Sequence, residues 1–322
     1  MTLDDFLAQW HDASPTVLVH TSGSTGAPKP MMVEKRRMEA SARTTCRFLG
    51  LHAGDTALLC MPLDYIAGKM MVVRALTCGL RLVSVPPGGN PLQTVAEPID
   101  FAAMVPLQVW NTLQDPLQRR RLMQVRHLII GGGAIHDELA EALASFPHHV
   151  WSTYGMTETL SHIALRRLNG PERSEWYTPF DGVAVSVNGD GCLVIDAPEV
   201  HDGRLVTNDM AVLEHGRFRI LGRRDNVVCS GGIKIQIEEV ERLMRPHLPM
   251  PFMITKAPDR RLGEQVVLLT EAADPESLRS CCEAVLPKYW VPRRFVHTDR
   301  LPLTGTGKPA RAEAARMVSD IL

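Results

Sequence analysis

Apolar runs of strand length alternate with stretches of helical length through the first two-thirds of the chain. β-Branched and apolar clusters at 16–19, 56–60, 81–85, 101–105, 127–130 and 149–151 predict strands. Between them, helical patterns predict helices over 34–49, 66–78 and 137–146. Strands separated by helices of this length predict an α/β fold, with a parallel or mixed sheet and helical layers on it.

From about residue 179 the pattern changes. The runs 183–187, 192–195, 205–206 and 218–220 are short, and Asn188-Gly189-Asp190-Gly191 is a strong hairpin turn. They predict a small antiparallel β subdomain. After Gly222-Arg223-Arg224-Asp225 an α/β pattern returns, with helices at 237–243 and 275–285 and strands at 252–255 and 265–269. We therefore expect a large N-terminal domain over 1–224 and a small α+β C-terminal domain over 225–322. There is no internal repeat and no low-complexity tract.

Composition narrows the function classes. The 322 residues are 45% hydrophobic, enough for about two cores. Lys and Arg number 35 against 36 Asp and Glu, and a non-specific nucleic-acid or acidic-membrane partner calls for a basic surplus that is absent. Residues 1–10 carry Asp4 and Asp5 and no long apolar run, so neither a secretory signal nor a membrane anchor is expected. Seven cysteines include no C-x-x-C pair and only Cys281-Cys282 adjacent, which predicts reduced thiols in a cytoplasmic protein and no zinc site. The twelve histidines form no ligand cluster.

One segment bears chemistry on its face. Thr21-Ser22-Gly23-Ser24-Thr25-Gly26-Ala27-Pro28-Lys29 follows directly on the first predicted strand. Its glycines let the backbone turn tightly and present N–H groups to an anion, while the hydroxyls and Lys29 add donors and charge. This is a phosphate-gripping loop, and not a Walker A loop, because no Gly-Lys-Ser/Thr stands at the required spacing.

The loop resembles the signature of the adenylate-forming enzymes, the superfamily of acyl- and aryl-CoA ligases, peptide-synthetase adenylation domains and luciferases. Independent segments carry the same resemblance. In Tyr154-Gly155-Met156-Thr157-Glu158-Thr159 it implies an aromatic ring on adenine, a threonine on phosphate and Glu158 on magnesium. A flat ring suits a base, and a carboxylate is a hard ligand for phosphate-bound magnesium. Gly131-Gly132-Gly133-Ala134 is similar to the backbone that passes beside adenine. Leu205-Val206-Thr207-Asn208-Asp209 places Asp209 on the ribose hydroxyls, since two carboxylate oxygens match a vicinal diol. The family more often has Gly where Asn208 stands.

The C-terminal third continues the match. Arg223 resembles the arginine facing ribose and phosphate, and Asp225 the hinge between domains. Ser230-Gly231-Gly232-Ile233-Lys234 resembles the loop lining the thiol tunnel, followed by the acidic helix segment Glu238-Glu239-Val240-Glu241. Pro302-Leu303-Thr304-Gly305-Thr306-Gly307-Lys308-Pro309-Ala310-Arg311 resembles the catalytic-lysine motif, with Lys308 between the attacking carboxylate and the α-phosphate. Taken singly, each segment has a plain structural reading as a capped turn, a surface lysine or a solvated helix face. Their shared order from residue 21 to residue 311 is what carries the resemblance.

What the resemblance implies is an ATP- and magnesium-dependent acid–thiol ligase acting on a small-molecule acid, with coenzyme A as acceptor. The segment Pro62-Leu63-Asp64-Tyr65-Ile66-Ala67-Gly68-Lys69 is similar to one in compact o-succinylbenzoate–CoA ligases of menaquinone synthesis. On that likeness Tyr65 borders the acid and Lys69 meets its second carboxylate, Arg74 standing one further turn along. Snorkelling is the structural alternative for Lys69. Family members carry a long portion before the phosphate loop, so some acid-binding walls and part of the sheet are expected to be missing or replaced. Two other readings stay open: another acyl or aryl acid passed to CoA or a carrier protein, and a nucleotide-binding paralogue without turnover.

Overall fold

A computed structural model describes residues 1–20, 30–304 and 309–321. Its largest sheet has seven strands in the spatial order Arg81–Ser84, Thr56–Leu59, Phe101–Met104, His127–Ile130, His149–Gly155, His162–Arg167 and Thr178–Pro179. The first five run parallel and the last two turn antiparallel. Thr56–Leu59, Phe101–Met104 and His127–Ile130 are buried at every position, as expected for strands covered on both faces.

Helices Lys35–Leu49 and Ile66–Cys78 pack on each other. The first buries Met38, Ala42, Thr45, Cys46 and Leu49, a three-to-four-residue spacing that puts one stripe into the core. Both helices end at a left-handed glycine, Gly50 (φ 64°) and Gly79 (φ 69°), where a Cβ would be strained. Within the first 224 residues three helices go beyond the patterns read from sequence: Leu3–His11, Pro106–Gln114 and Pro116–Met123. Thr2 and Asp5 close a capping box on the first, and a proline opens each of the others.

Thr16–His20 does not join the large sheet. It pairs antiparallel with Pro30–Glu34 in a two-stranded sheet, so the two strands bracket residues 21–29. The antiparallel subdomain is present as four strands in chain order, Ala184–Val187, Cys192–Asp196, Arg204–Glu214 and Arg217–Arg223. Asn188 closes its first turn by accepting from the amides of Asp190 and Cys192. Arg204–Glu214 runs far beyond the two residues read as strand, because its polar positions pair with Arg217–Arg223 across the sheet.

After the short helical turn Arg224–Asn226 a separate five-stranded sheet begins. It contains Val227–Ser230, Ile233–Gln236, Phe252–Asp259, Gly263–Thr270 and Arg294–His297, flanked by helices Ile237–Met244, Arg279–Val285 and Arg311–Ile321. The helix expected over 275–285 is in two parts, a tight turn Pro275–Leu278 and then Arg279–Val285. Val228, Ile235, Ile254 and Leu268 form a core here that is distinct from the one around Leu58 and Ile129. Among the described residues no helix is long and apolar enough to cross a membrane.

Candidate active site

The carboxyl ends of the parallel strands are where an open α/β sheet gathers its ligand groups. His127–Ile130 ends there in Gly131-Gly132-Gly133-Ala134. A Cβ at Gly131 would stand 2.3 Å from the Thr153 hydroxyl, and Gly132 has φ 78°, so this turn requires glycine. The next strand, His149–Gly155, delivers Tyr154 and Gly155 at the same end. At Gly155 the register with His162–Arg167 shifts, and a Cβ would meet the Ser161 carbonyl oxygen at 2.3 Å.

Thr157–Thr159 follows as a single tight turn with Thr157 buried. Leu160 closes it at φ 63°, an uncommon conformation for a side chain that branches. The turn persists because the Thr159 hydroxyl donates to Met156 O and Ser161 O, and accepts from the Met156 amide. Glu158 is thereby presented on a fixed corner. Its carboxylate has no hydrogen-bond or ion-pair partner among the described residues.

Tyr154, Asp209 and Arg223 form one connected group. The Tyr154 hydroxyl donates to Asp209 Oδ2 at 2.6 Å, and Arg223 Nη1 donates to Asp209 Oδ1 at 3.2 Å. Arg223 Nη2 continues to Asp225 Oδ2 at 2.9 Å, which also accepts from Asn208 Nδ2. The Tyr154 ring packs edge-on to Phe218, centroids 5.0 Å apart. Burial, then the Asp209 carboxylate, pushes the Tyr154 phenol far above its ordinary value, so it donates and does not ionise. Burial works against the Arg223 charge, but Asp225 and Asp209 outweigh it and hold the guanidinium above its usual range. The result is a half-buried carboxylate with two fixed donors, beside a turn that offers Thr157 and Glu158.

Comparison with known proteins bears on the family. The AMP-binding enzyme family matches residues 5–208, more than half of the chain. The chain belongs to the AMP-binding enzyme family. A 2-succinylbenzoate–CoA ligase of Salmonella typhimurium is 29% identical, over 83% of this chain and 60% of its own length. One of Bacillus cereus is 27% identical, over 94% and 70%. The chain therefore spans less than two-thirds of the Salmonella relative. Among solved structures, an acyl-CoA synthetase (AMP-forming)/AMP-acid ligase II-like protein from Dyadobacter fermentans aligns with TM-score 0.66 and 33% identity, covering 98% of this chain and 93% of that one. E. coli MenE with bound OSB-AMS aligns with TM-score 0.76 and 25% identity, covering 96% and 70%.

Other residues of this AMP-binding enzyme singled out from sequence are distributed as follows. Thr21, Ser22, Gly23, Ser24, Thr25, Gly26 and Lys29 lie outside the described residues, as does Lys308. The flanks of both segments are described. Leu303 and Pro309 pair across the second, and Arg311 just after it donates to both Glu241 carboxylate oxygens at 2.6 and 2.7 Å. Gly231 (φ 58°) and Gly232 (φ 84°) make the two-residue turn between Val227–Ser230 and Ile233–Gln236, a conformation both glycines permit.

Tyr65 is half-exposed and precedes helix Ile66–Cys78. Lys69, in the first turns of that helix, is only 2% exposed. Its ammonium donates to the Leu18 carbonyl at 2.6 Å and sits 5.9 Å from the Phe6 ring centre. Burial lowers its pKa, with Asp64 opposing. Lys69 thus braces the strand that leads into residues 21–29.

Arg74 stands out in the same helix. It is buried, without a carboxylate partner among the described residues, and its Nε is unpaired. Nη2 donates to Ser161 Oγ at 2.6 Å, and Ser161 in turn contacts His162 Nδ1. Burial pushes the Arg74 pKa down to about 10, which leaves it charged. The sequence signal was an arginine in an otherwise apolar helix stretch.

Proposed function

We propose that this AMP-binding enzyme activates an organic acid with ATP as an acyl-adenylate and passes the acyl group to coenzyme A. We further propose 2-succinylbenzoate as the acid, the reaction of the menaquinone pathway that the resemblance implies. The observation that supports the reading most is the Tyr154–Asp209–Arg223 group beside Thr157 and Glu158, at the strand ends. The printed activity of the Salmonella and Bacillus relatives supports the choice of acid.

In this reading Gly132, Gly133 and Ala134 border the adenine with Tyr154, and Asp209 and Arg223 take the ribose. The loop with Thr21, Ser22, Gly23, Ser24, Thr25, Gly26 and Lys29 grips the phosphates together with Thr157. Glu158 fits a magnesium ion. It is a carboxylate on a fixed corner with no partner among the described residues, a hard oxygen donor of the kind that holds an ion resting mainly on phosphate oxygens and water. The ion would neutralise charge on the leaving pyrophosphate.

Lys308 would lie between the carboxylate and the α-phosphate, two anions that otherwise repel. The second carboxylate of the acid would meet Lys69, whose ammonium donates to the Leu18 carbonyl in this structure. Tyr65 would border the acid beside it. The C-terminal domain, from Asp225 onward, then turns to bring Gly231 and Gly232 to the thiol path. The seven free cysteines suit a cytoplasmic setting.

The test is product analysis. Incubation with ATP, magnesium, 2-succinylbenzoate and coenzyme A should yield AMP, pyrophosphate and the acyl-CoA thioester by mass spectrometry. AMP formation with a different acid would discard the substrate and keep the chemistry; no AMP with any acid would discard the enzyme.

A further inference from the structure

The far end of the seven-stranded sheet holds a cavity of about 300 Å³ with an unusual lining. His127 and His149 are the first residues of two neighbouring parallel strands and register partners. The other ends of those strands carry Gly131–Gly133 and Tyr154. From His149 to Tyr154 is five residue steps, about 17 Å at the rise of an extended strand. The cavity is thus on the opposite side of the sheet's core from the adenylation groups.

Its walls are rings. Phe48 and Trp151 meet edge-to-face at 5.2 Å between centroids, and His127 and His149 do the same at 5.2 Å. Its charge is positive. The Arg167 guanidinium lies 4.9 Å over the Trp151 ring with its side chain 11% exposed. Its nearest carboxylate, Glu172, is 3.5 Å away on a side chain that is 75% exposed, so the pair is weak. Arg47, from the last turn of helix Lys35–Leu49, has no ion-pair partner among the described residues. Burial lowers the pKa of both histidines, His127 to about 4, which keeps both rings neutral at pH 7. Trp151 Nε1 and His127 Nδ1 are buried behind this lining without a hydrogen-bond partner among the described residues.

We propose that this cavity is a second ligand site, separate from the adenylation centre, that takes a small aromatic carboxylate. At about 30 Å³ per water, 300 Å³ equals roughly ten waters, the space of one substituted ring. Flat walls select a planar molecule, since rings pair favourably edge-on or offset. Guanidinium groups match a carboxylate in a planar two-point contact that a bare ammonium cannot make. A net of two arginines against one exposed glutamate selects an anion over a neutral ring.

Equilibrium dialysis of the full chain with labelled benzoate tests this, alongside cyclohexanecarboxylate and inorganic phosphate as non-planar and charge-only controls. Benzoate should bind in preference to both, and Arg47→Gln and Arg167→Gln should each weaken it at least tenfold while ATP affinity stays unchanged. Arg47 is a helix-end residue, so Arg47→Gln should keep the wild-type melting temperature even where Arg167→Gln does not. Benzoate binding that is absent, or unchanged in Arg47→Gln, would overturn the site. Equal binding of phosphate or cyclohexanecarboxylate would overturn the ligand class.

Discussion

In the proposed function Asp209 meets the ribose, and two neighbours far away in sequence prepare it for that. Tyr154 and Arg223 hold both of its oxygens, so the carboxylate is fixed before any ribose arrives. Hydrogen bonds to a charged group contribute about 1.5–3 kcal/mol each. Asp209→Ala should therefore raise the KM for ATP roughly tenfold to a hundredfold, measured by pyrophosphate exchange at varied ATP; an unchanged KM would remove Asp209 from the ribose. His127 provides a pH handle. Desolvation, then Arg126 and His149, depress its folded pKa to about 4, below the unfolded value near 6.5. The unfolded chain thus binds more protons between those values, and stability falls as pH drops from about 6.5 towards 4. Burial depresses His162 in the same direction, with Arg74 adding to it. Melting temperature should fall over this window, and His127→Gln should flatten the slope; an identical slope in the variant would contradict it.

At the scale of elements, helix Ile66–Cys78 was legible to the residue, because an apolar run ends in Gly79 at the left-handed position. Thr16–His20 carried a usable signal too. Val17 and Val19 are buried while Leu18 is exposed, an alternation that belongs to a one-sided antiparallel pair and not to a buried parallel strand. The job of Lys69 was not legible, since Leu18 is 51 residues away and only folding brings its carbonyl within reach. The Gly68 position is equally tertiary. A Cβ there would lie 2.3 Å from the Pro62 carbonyl oxygen, a backbone atom. Gly68→Ala should cost about 1–3 kcal/mol or more as overpacking, read from the denaturant midpoint. In the C-terminal sheet, Glu241 accepts from Arg311 and from the Ile254 amide with its side chain only 10% exposed. This pair ties the acidic helix to the segment that carries Lys308. Glu241→Ala leaves a buried guanidinium unpaired and should destabilise that unit by about 3–5 kcal/mol, seen as faster proteolysis after residue 225.

For the whole molecule, motif order along the chain was enough to recognise the family and most strand ends, because those segments are contiguous. Contacts that join the antiparallel subdomain to the large sheet were not, since Tyr154 and Asp209 are 55 residues apart. The chemistry assigned to Lys308 predicts a split between half-reactions. Lys308→Ala should lose acyl-adenylate formation far more than thioester formation from supplied acyl-AMP, and equal loss of both would contradict that role. The most direct measurement is carboxylate-dependent ATP–pyrophosphate exchange on the purified chain, across a panel of acids that includes 2-succinylbenzoate. Strong exchange with 2-succinylbenzoate, abolished in Glu158→Ala, is the predicted result. Measurable ATP binding with no exchange for any acid would contradict an enzyme that forms acyl-adenylates.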